Sequence, residues 1–316
     1  MRNRLSIIAM ILAAACGAFS QTATSCCPEA TKEKQQLLWQ KLEAQIQETD
    51  KNLDGVMGVS ILDLSNGRTI LWHADEVFAQ ASSIKIAVLV ELYRQAAQGR
   101  LKLTELYTVR KTDMVQDGDI YNGLTPDVTQ VTLRDLATMM IAVSDNSATN
   151  VLIERVGMGN VNATLRGLGL KNTLLRRKMM DVKAASEGRE NISTPREMMV
   201  LLQALYAEKL FDRELKDDFF RMLATPKQSP IRRVVPEEIV SADKPGELEA
   251  IRNDSGIVFA QNRPFVICVM TGYLRREPDG EAAIAGVATA AYSYFDRIGK
   301  ATEYGRVVST KNSATP

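Results

Sequence analysis

Phe78-Ala79-Gln80-Ala81-Ser82-Ser83-Ile84-Lys85, running on through Ile86-Ala87-Val88-Leu89-Val90, is the stretch on which the reading of this chain turns. From Ile84 to Val90 every residue but one is apolar and none alternates, so the spacing predicts a helix buried on most of its sides. The exception is Lys85, and a lone ammonium in such a helix is costly unless it is paired or put to use. Three residues earlier, at the helix start, stands Ser82, and residues i and i+3 share a helix face. A hydroxyl at the positive end of a helix dipole then lies under an amine whose proton affinity burial lowers. Nucleophile plus base is what activated-serine chemistry requires. An isolated S-x-x-K reads as a capping serine and a lysine reaching for the surface. Other segments of the chain decide against that.

Composition bounds the alternatives. The 316 residues are 45% hydrophobic and 24% charged with net charge +1, values of an ordinary folded chain without a basic excess, so nucleic acid is excluded as a partner. Residues 1–20 (MRNRLSIIAMILAAACGAFS) have a basic start, a short apolar core and small residues before Gln21, the pattern of an export signal too short to span a membrane. Its removal takes away Arg2 and Arg4 and no acid, leaving a net charge two below +1, at −1. Ala13-Ala14-Ala15-Cys16 loosely matches a lipoprotein cleavage site, so simple export to the periplasm or medium is the first reading and a lipid anchor at Cys16 the second. Cys26 and Cys27 are adjacent in a leader, 21–28, and Cys268 lies in an apolar strand, where a buried inert thiol is the default. No Cys/His spacing suits a metal, and there is a single histidine, His73.

Along the chain, Leu37, Leu38, Leu42 and Ile46 predict an amphipathic first helix, and Val56–Leu64 and Arg68–His73 a hairpin around Ser65-Asn66-Gly67. The Ser82 helix stops at Gly99. Thr132-Leu133-Arg134-Asp135 resembles a capping box opening a helix to about Val143; Ser144-Asp145-Asn146 interrupts, and helix resumes from Ser147 to Val156 and again to about Leu168. Leu174–Ile192 reads as a long loop. Thr194-Pro195-Arg196-Glu197 starts a helix with cap, N1 proline and reciprocal glutamate, and 212–223 is another. Strands return at about 239–242, 250–260 and 264–271, and 281–298 closes the fold as a helix with Ile284, Ala288, Ala291, Tyr292 and Phe295 on one stripe. Strands at both ends and helices between imply an α+β fold, an antiparallel sheet built from both chain ends with a mostly helical insertion at about 100–225. The catalytic domain is expected over 29–298, followed by a polar tail, 299–316.

With these motifs in place, the chain resembles the class A β-lactamases and related penicillin-recognising serine hydrolases over about residues 50–298. Ser82-Ser83-Ile84-Lys85 matches S-x-x-K, Ser144-Asp145-Asn146 matches S-D-N, and Lys244-Pro245-Gly246 stands where K-T-G is expected. Each triplet alone is weak; three in family order are not. The resemblance implies a β-lactamase/transpeptidase-like fold and an acyl-enzyme on Ser82 with no cofactor. It implies Lys85 as base and Ser144 as proton donor to the departing nitrogen. Asn146 would hold the substrate's side amide and Lys244 its carboxylate, with the N–H groups of Ser82 and of Glu247, the residue after Gly246, as oxyanion donors. The substrate would be a β-lactam or a cell-wall peptide.

Two positions depart from the family. Counting back from Pro195 puts Lys178 or Met179 where the deacylating glutamate belongs, and Asp181, Glu187 and Glu190 fall outside its pattern. Pro245 replaces the hydroxyl that would hold a substrate carboxylate and removes an N–H, which an edge strand tolerates; Arg252 is a candidate to take over the carboxylate. Two rival readings therefore stand beside the lactamase: a penicillin-binding or D-Ala-D-Ala peptidase-like enzyme that deacylates slowly, and an inactive binding relative. Tyr121 is a candidate for the entrance of the site.

Overall fold

The computed structural model describes residues 27–307, with side chains from residue 33; the expected export segment, most of the leader and residues 308–316 lie outside that range. The chain opens with α1 (Cys27–Lys51), the hairpin β1 (Val56–Asp63) and β2 (Thr69–Trp72), and the short β3 (Phe78–Ala79). A 3₁₀ turn, Ala81–Ile84, feeds α2 (Lys85–Ala97). The middle comprises β4 (Leu106–Thr108), β5 (Gln130–Thr132), α3 (Leu133–Ala142), α4 (Asn146–Val156), α5 (Met158–Gly167), α6 (Val182–Ser186), β6 (Ile192–Ser193), α7 (Pro195–Tyr206), α8 (Arg213–Leu223) and α9 (Pro230–Val234). The chain closes with β7 (Ser241–Leu248), β8 (Ile251–Val258), β9 (Phe265–Gly272) and α10 (Glu277–Lys300).

The main sheet runs β2-β1-β9-β8-β7, antiparallel throughout, so the first strand of the chain is paired to the last. Helices cover both faces, and β1 and β9 are consequently buried on both sides rather than in alternation. On one face Trp39, Leu42 and Ile46 of α1 join Ile284, Val287 and Phe295 of α10 against Met57, Val59 and Ile267. On the other, Ile84, Val88 and Leu92 share a second core with Leu62, Val266 and Met270 and with α3, α4, α7 and α8. Each such side chain contributes about 1.5–3 kcal/mol by leaving water. The first helix turns its Trp39 inward, where the sequence pattern put Leu37, which is 58% exposed. That helix is already formed at Cys27, the first described residue, inside the expected leader.

Local signals explain most helix starts. The capping box at Thr132 forms in full, and Asp212 caps α8. At α7 the Thr194 hydroxyl accepts from Glu197 N–H, but the expected reciprocal bond is absent: the Glu197 carboxylate instead accepts from Lys171 N–H, Asn172 N–H and the Thr173 hydroxyl. The expected loop 174–192 contains the one-turn α6, capped by Asp181. The strand expected at 239–242 lies later, at 241–248, which puts Lys244-Pro245-Gly246 inside it. α10 continues past the expected tail boundary to Lys300.

Candidate active site

Ser82 sits in a tight turn anchored on three sides. Ala81 takes the left-handed φ of +48°, a conformation that costs a residue with a side chain about 1 kcal/mol and is held by its surroundings. Asn253 of β8 donates to Ala79 O at 2.7 Å, Gln80 N–H donates to Asn191 O at 2.8 Å, and the Ser83 hydroxyl donates to Lys244 O at 3.0 Å. β7 crosses so close that a Cβ at Gly246 would lie 2.6 Å from Gln80 O and 2.9 Å from Ser83 N, which only glycine permits. With both its neighbours buried, the half-exposed Ser82 is turned into a cleft.

Beneath it, Lys85 is wholly buried in α2. Its Nζ donates to Ser144 O at 2.5 Å, to Ser144 Oγ at 2.9 Å and to Asn146 Oδ1 at 2.9 Å. Ser144 Oγ is in turn 2.8 Å from Ser82 Oγ. The sequence placed the serine hydroxyl directly under the amine; the structure inserts a second hydroxyl between them. Burial, and after it the positive charge of Lys244, hold the Lys85 amine well below the ordinary lysine range, while Asp145 and Asp117 pull weakly the other way. Ser144 reaches this position through a left-handed φ of +60° at the break between α3 and α4. Asp145 fixes the break: buried, it caps α4 by accepting from Ala148 N–H at 2.9 Å and ties down the preceding loop through Tyr121 N–H at 2.8 Å.

The third wall is β7, a sheet edge, where the absent N–H of Pro245 is tolerated. Lys244 is buried beside the cleft, its Nζ donating to Pro245 O at 3.0 Å, and burial together with the charge of Lys227 brings its pKa down to about 8. The cleft, about 730 Å³, is lined by Ser82, Ser144, Asn146, Lys244 and Glu247, and also by Lys227 and Arg232. Sequence reasoning missed these two cations. They belong to Pro226-Lys227-Gln228-Ser229-Pro230 and α9, and the only signal available was the Ser229-Pro230 cap and N1 proline. Arg252 does not take the expected place; its guanidinium turns away to Glu281, at 3.2 Å, and to Leu248 O. Tyr121 is no entrance residue either: it is fully buried, with its hydroxyl donating to Asp113. His73 packs on the Trp72 ring with its Nδ1 3.1 Å from Met57 O.

No residue of 174–192 lines this cleft. Lys178 turns outward to an ion pair with Glu154. Met179 is buried, its backbone clasped by the Asn150 side chain at 2.8 and 3.0 Å. The acids of the segment have other duties: Asp181 caps α6, Glu190 pairs with Arg177 at 2.7 Å, and Glu187 pairs with Arg189. The carboxylates that do face the cleft are Asp117, Asp119 and Glu247.

An antiparallel sheet closed by both chain ends, flanked by helices and holding two serines and two lysines at one cleft, defines the class A type of penicillin-recognising serine hydrolase. The profile of the beta-lactamase enzyme family matches residues 41–295, and the chain belongs to that family. It is 31% identical over 248 residues to a beta-lactamase of Amycolatopsis lactamdurans, covering 75% of this chain and 79% of that one. The solved structure of an ancestral class A beta-lactamase superposes with a TM-score of 0.75 at 26% identity, covering 80% of this chain and all of that one (100%). A glutamate-substituted mutant of PBP-A, solved as its acyl-enzyme with penicillin G, shares the fold with a TM-score of 0.74 at 24% identity, over 81% of this chain and 97% of that one. The chain is a serine β-lactamase-like hydrolase.

Proposed function

We propose that this hydrolase opens β-lactam rings through an acyl-enzyme on Ser82. The observation that carries the reading is the unbroken line Ser82 Oγ, Ser144 Oγ, Lys85 Nζ, with steps of 2.8 and 2.9 Å and a buried amine at its end. As Ser82 Oγ bonds to the lactam carbonyl carbon, its proton passes to Ser144 Oγ while the Ser144 proton passes to neutral Lys85. The N–H groups of Ser82 and Glu247 receive the oxyanion, a stabilisation of about 3–4 kcal/mol per donor. The C–N bond then breaks, the ring nitrogen takes a proton from Ser144, and Lys85 returns one to Ser144. Asn146 holds the substrate's side amide. Lys244, with Lys227 and Arg232 beside it, draws the carboxylate that Pro245 cannot hydrogen-bond.

A specific observation favours a second outcome for the same acyl-enzyme. With no carboxylate of 174–192 in the cleft, the water that should release Ser82 lacks the family's base, and the protein is then acylated and held, as a penicillin-binding or D-Ala-D-Ala peptidase-like enzyme would be. Incubation with a chromogenic cephalosporin, following colour and intact mass together, separates the two. Sustained colour supports the lactamase, and one equivalent of stable adduct supports the slow enzyme. Ser82→Ala abolishes adduct and lowers turnover by at least about 10³-fold in either case; neither colour nor adduct from the wild type, with a Ser82→Ala variant that behaves the same, leaves only a binding relative. Residues 1–20 support export, with Cys16 as a lipid attachment point in the second reading, and fractionation of expressing cells tests both.

A further inference from the structure

The face of β7 and β8 turned away from Ser82 carries two carboxyls that acyl transfer does not use. Asp243 stands opposite Gly256, and Asp254 opposite Pro245, so the two acids are diagonal neighbours on one face, and both are inaccessible to solvent. Gly256 makes the room: a Cβ there would lie 2.6 Å from the Cα and Cβ of Asp243. Each acid has one occupied oxygen. Asp243 Oδ1 accepts from the Ser241 hydroxyl at 2.6 Å, and Asp254 Oδ2 accepts from the Ser229 hydroxyl at 2.7 Å and from Ile231 N–H at 3.1 Å. Asp243 Oδ2 and Asp254 Oδ1 are buried with no hydrogen-bond partner. Two ionised carboxylates so placed repel each other and leave two bare acceptors in a dry interior.

We propose that Asp243 and Asp254 hold one proton between those two oxygens, and that the resulting carboxyl–carboxylate pair latches α9, and with it Arg232, onto the wall of the cleft. Ser229 and Ile231, the partners of Asp254, are the cap and second residue of α9, so the pair grips the element that carries Arg232 at its N-terminal end. The two acids are positioning residues; that they serve the carboxylate end of the substrate rests on the function proposed above. The charges around them are Asp243 and Asp254 themselves, Lys227 and Arg232 from the α8–α9 side, Lys244 on β7, and Arg252 of β8 with Arg233 of α9 and Glu281 of α10. Burial, and then the charge of Asp243, push Asp254 up to about 8, which agrees with a retained proton. The fold therefore holds a proton that the unfolded chain releases at an ordinary aspartate pKa. That contribution to stability is full below the ordinary value of 3.8 and is lost as pH rises through about 8.

Asp254→Asn tests the latch, because its amide N–H replaces the shared proton at every pH while its oxygen still accepts from Ser229 and Ile231; Asp243→Asn is the mirror variant. Melting temperature is followed from pH 6 to 9.5, together with KM and kcat for a chromogenic cephalosporin. The wild type is expected to lose melting temperature relative to Asp254→Asn progressively from pH 6 up to about 8 and to run parallel to it above that. Its KM is expected to rise about tenfold more than the variant's once pH has passed about 8, with kcat little changed. Asp254→Ala, which strands the Ser229 hydroxyl and Ile231 N–H, is expected to raise KM at every pH. Parallel melting curves for wild type and Asp254→Asn over the whole pH range overturn the proposal, as does failure of both asparagine variants to fold. The melting comparison needs no turnover, so it stands even if the acyl-enzyme reading fails.

Discussion

Lys85 has three oxygen partners within 2.9 Å, and an ammonium has three N–H groups to give them. As an amine it keeps two donors, for Ser144 O and Asn146 Oδ1, and turns a lone pair toward Ser144 Oγ. Titration of Lys85 therefore reverses the Ser144 hydroxyl, which in turn becomes the acceptor for the Ser82 proton. The i, i+3 spacing of Ser82 and Lys85 made the pairing legible in the sequence, but the interposed Ser144 depends on a left-handed backbone that no local pattern announces. The same scale sets the pH profile of acylation. It should rise as Lys85 loses its proton and fall as Lys244 loses its charge near pH 8. Lys227→Gln removes the positive neighbour that depresses Lys244, so the alkaline limb of kcat/KM should move above its wild-type position near 8. A limb that stays in place would disconnect the two lysines.

At the scale of the element, β7 and the Ala81–Ile84 turn act as one unit, with the Gly246 backbone seated against Gln80 and Ser83. Gly246→Ala pushes a methyl into the Gln80 carbonyl and the Ser83 amide, so the turn must move and carry Ser82 with it. Adduct formation with a β-lactam, timed by mass spectrometry, should slow by at least about 10²-fold, with a fall of several degrees in melting temperature. An unchanged acylation rate would show that the turn is not held from this side. The helices were legible because their caps are written within four residues, as at Thr132 and Asp212. The boundaries of β7 were not, because its start and length follow from pairing with β8, ten or so residues away. Arg232 stayed hidden for a related reason: a five-residue helix has too little periodicity to show.

For the whole molecule, α1 and α10 close one face of the sheet around Trp39, whose ring meets Tyr294 at 5.3 Å and Phe295 at 6.4 Å and lies under the Arg68 guanidinium at 4.1 Å. Trp39→Ala should cost about 3–5 kcal/mol in urea unfolding while leaving kcat untouched, because the cleft lies on the other face. Loss of kcat in the folded variant would contradict that separation. The α+β class was legible from strands at both ends and helices between. The doubly covered sheet was not, because burial on two faces erases alternation in β1. The pairing of Val56 with Gly272 and of Asp63 with Phe265 has a consequence during synthesis. A nascent chain made from its amino end carries β1 with one side of its backbone ladder open until nearly the last helix has been translated. Any product stopped before Phe265 exposes that ribbon to other chains, so premature termination should yield aggregates rather than partial domains.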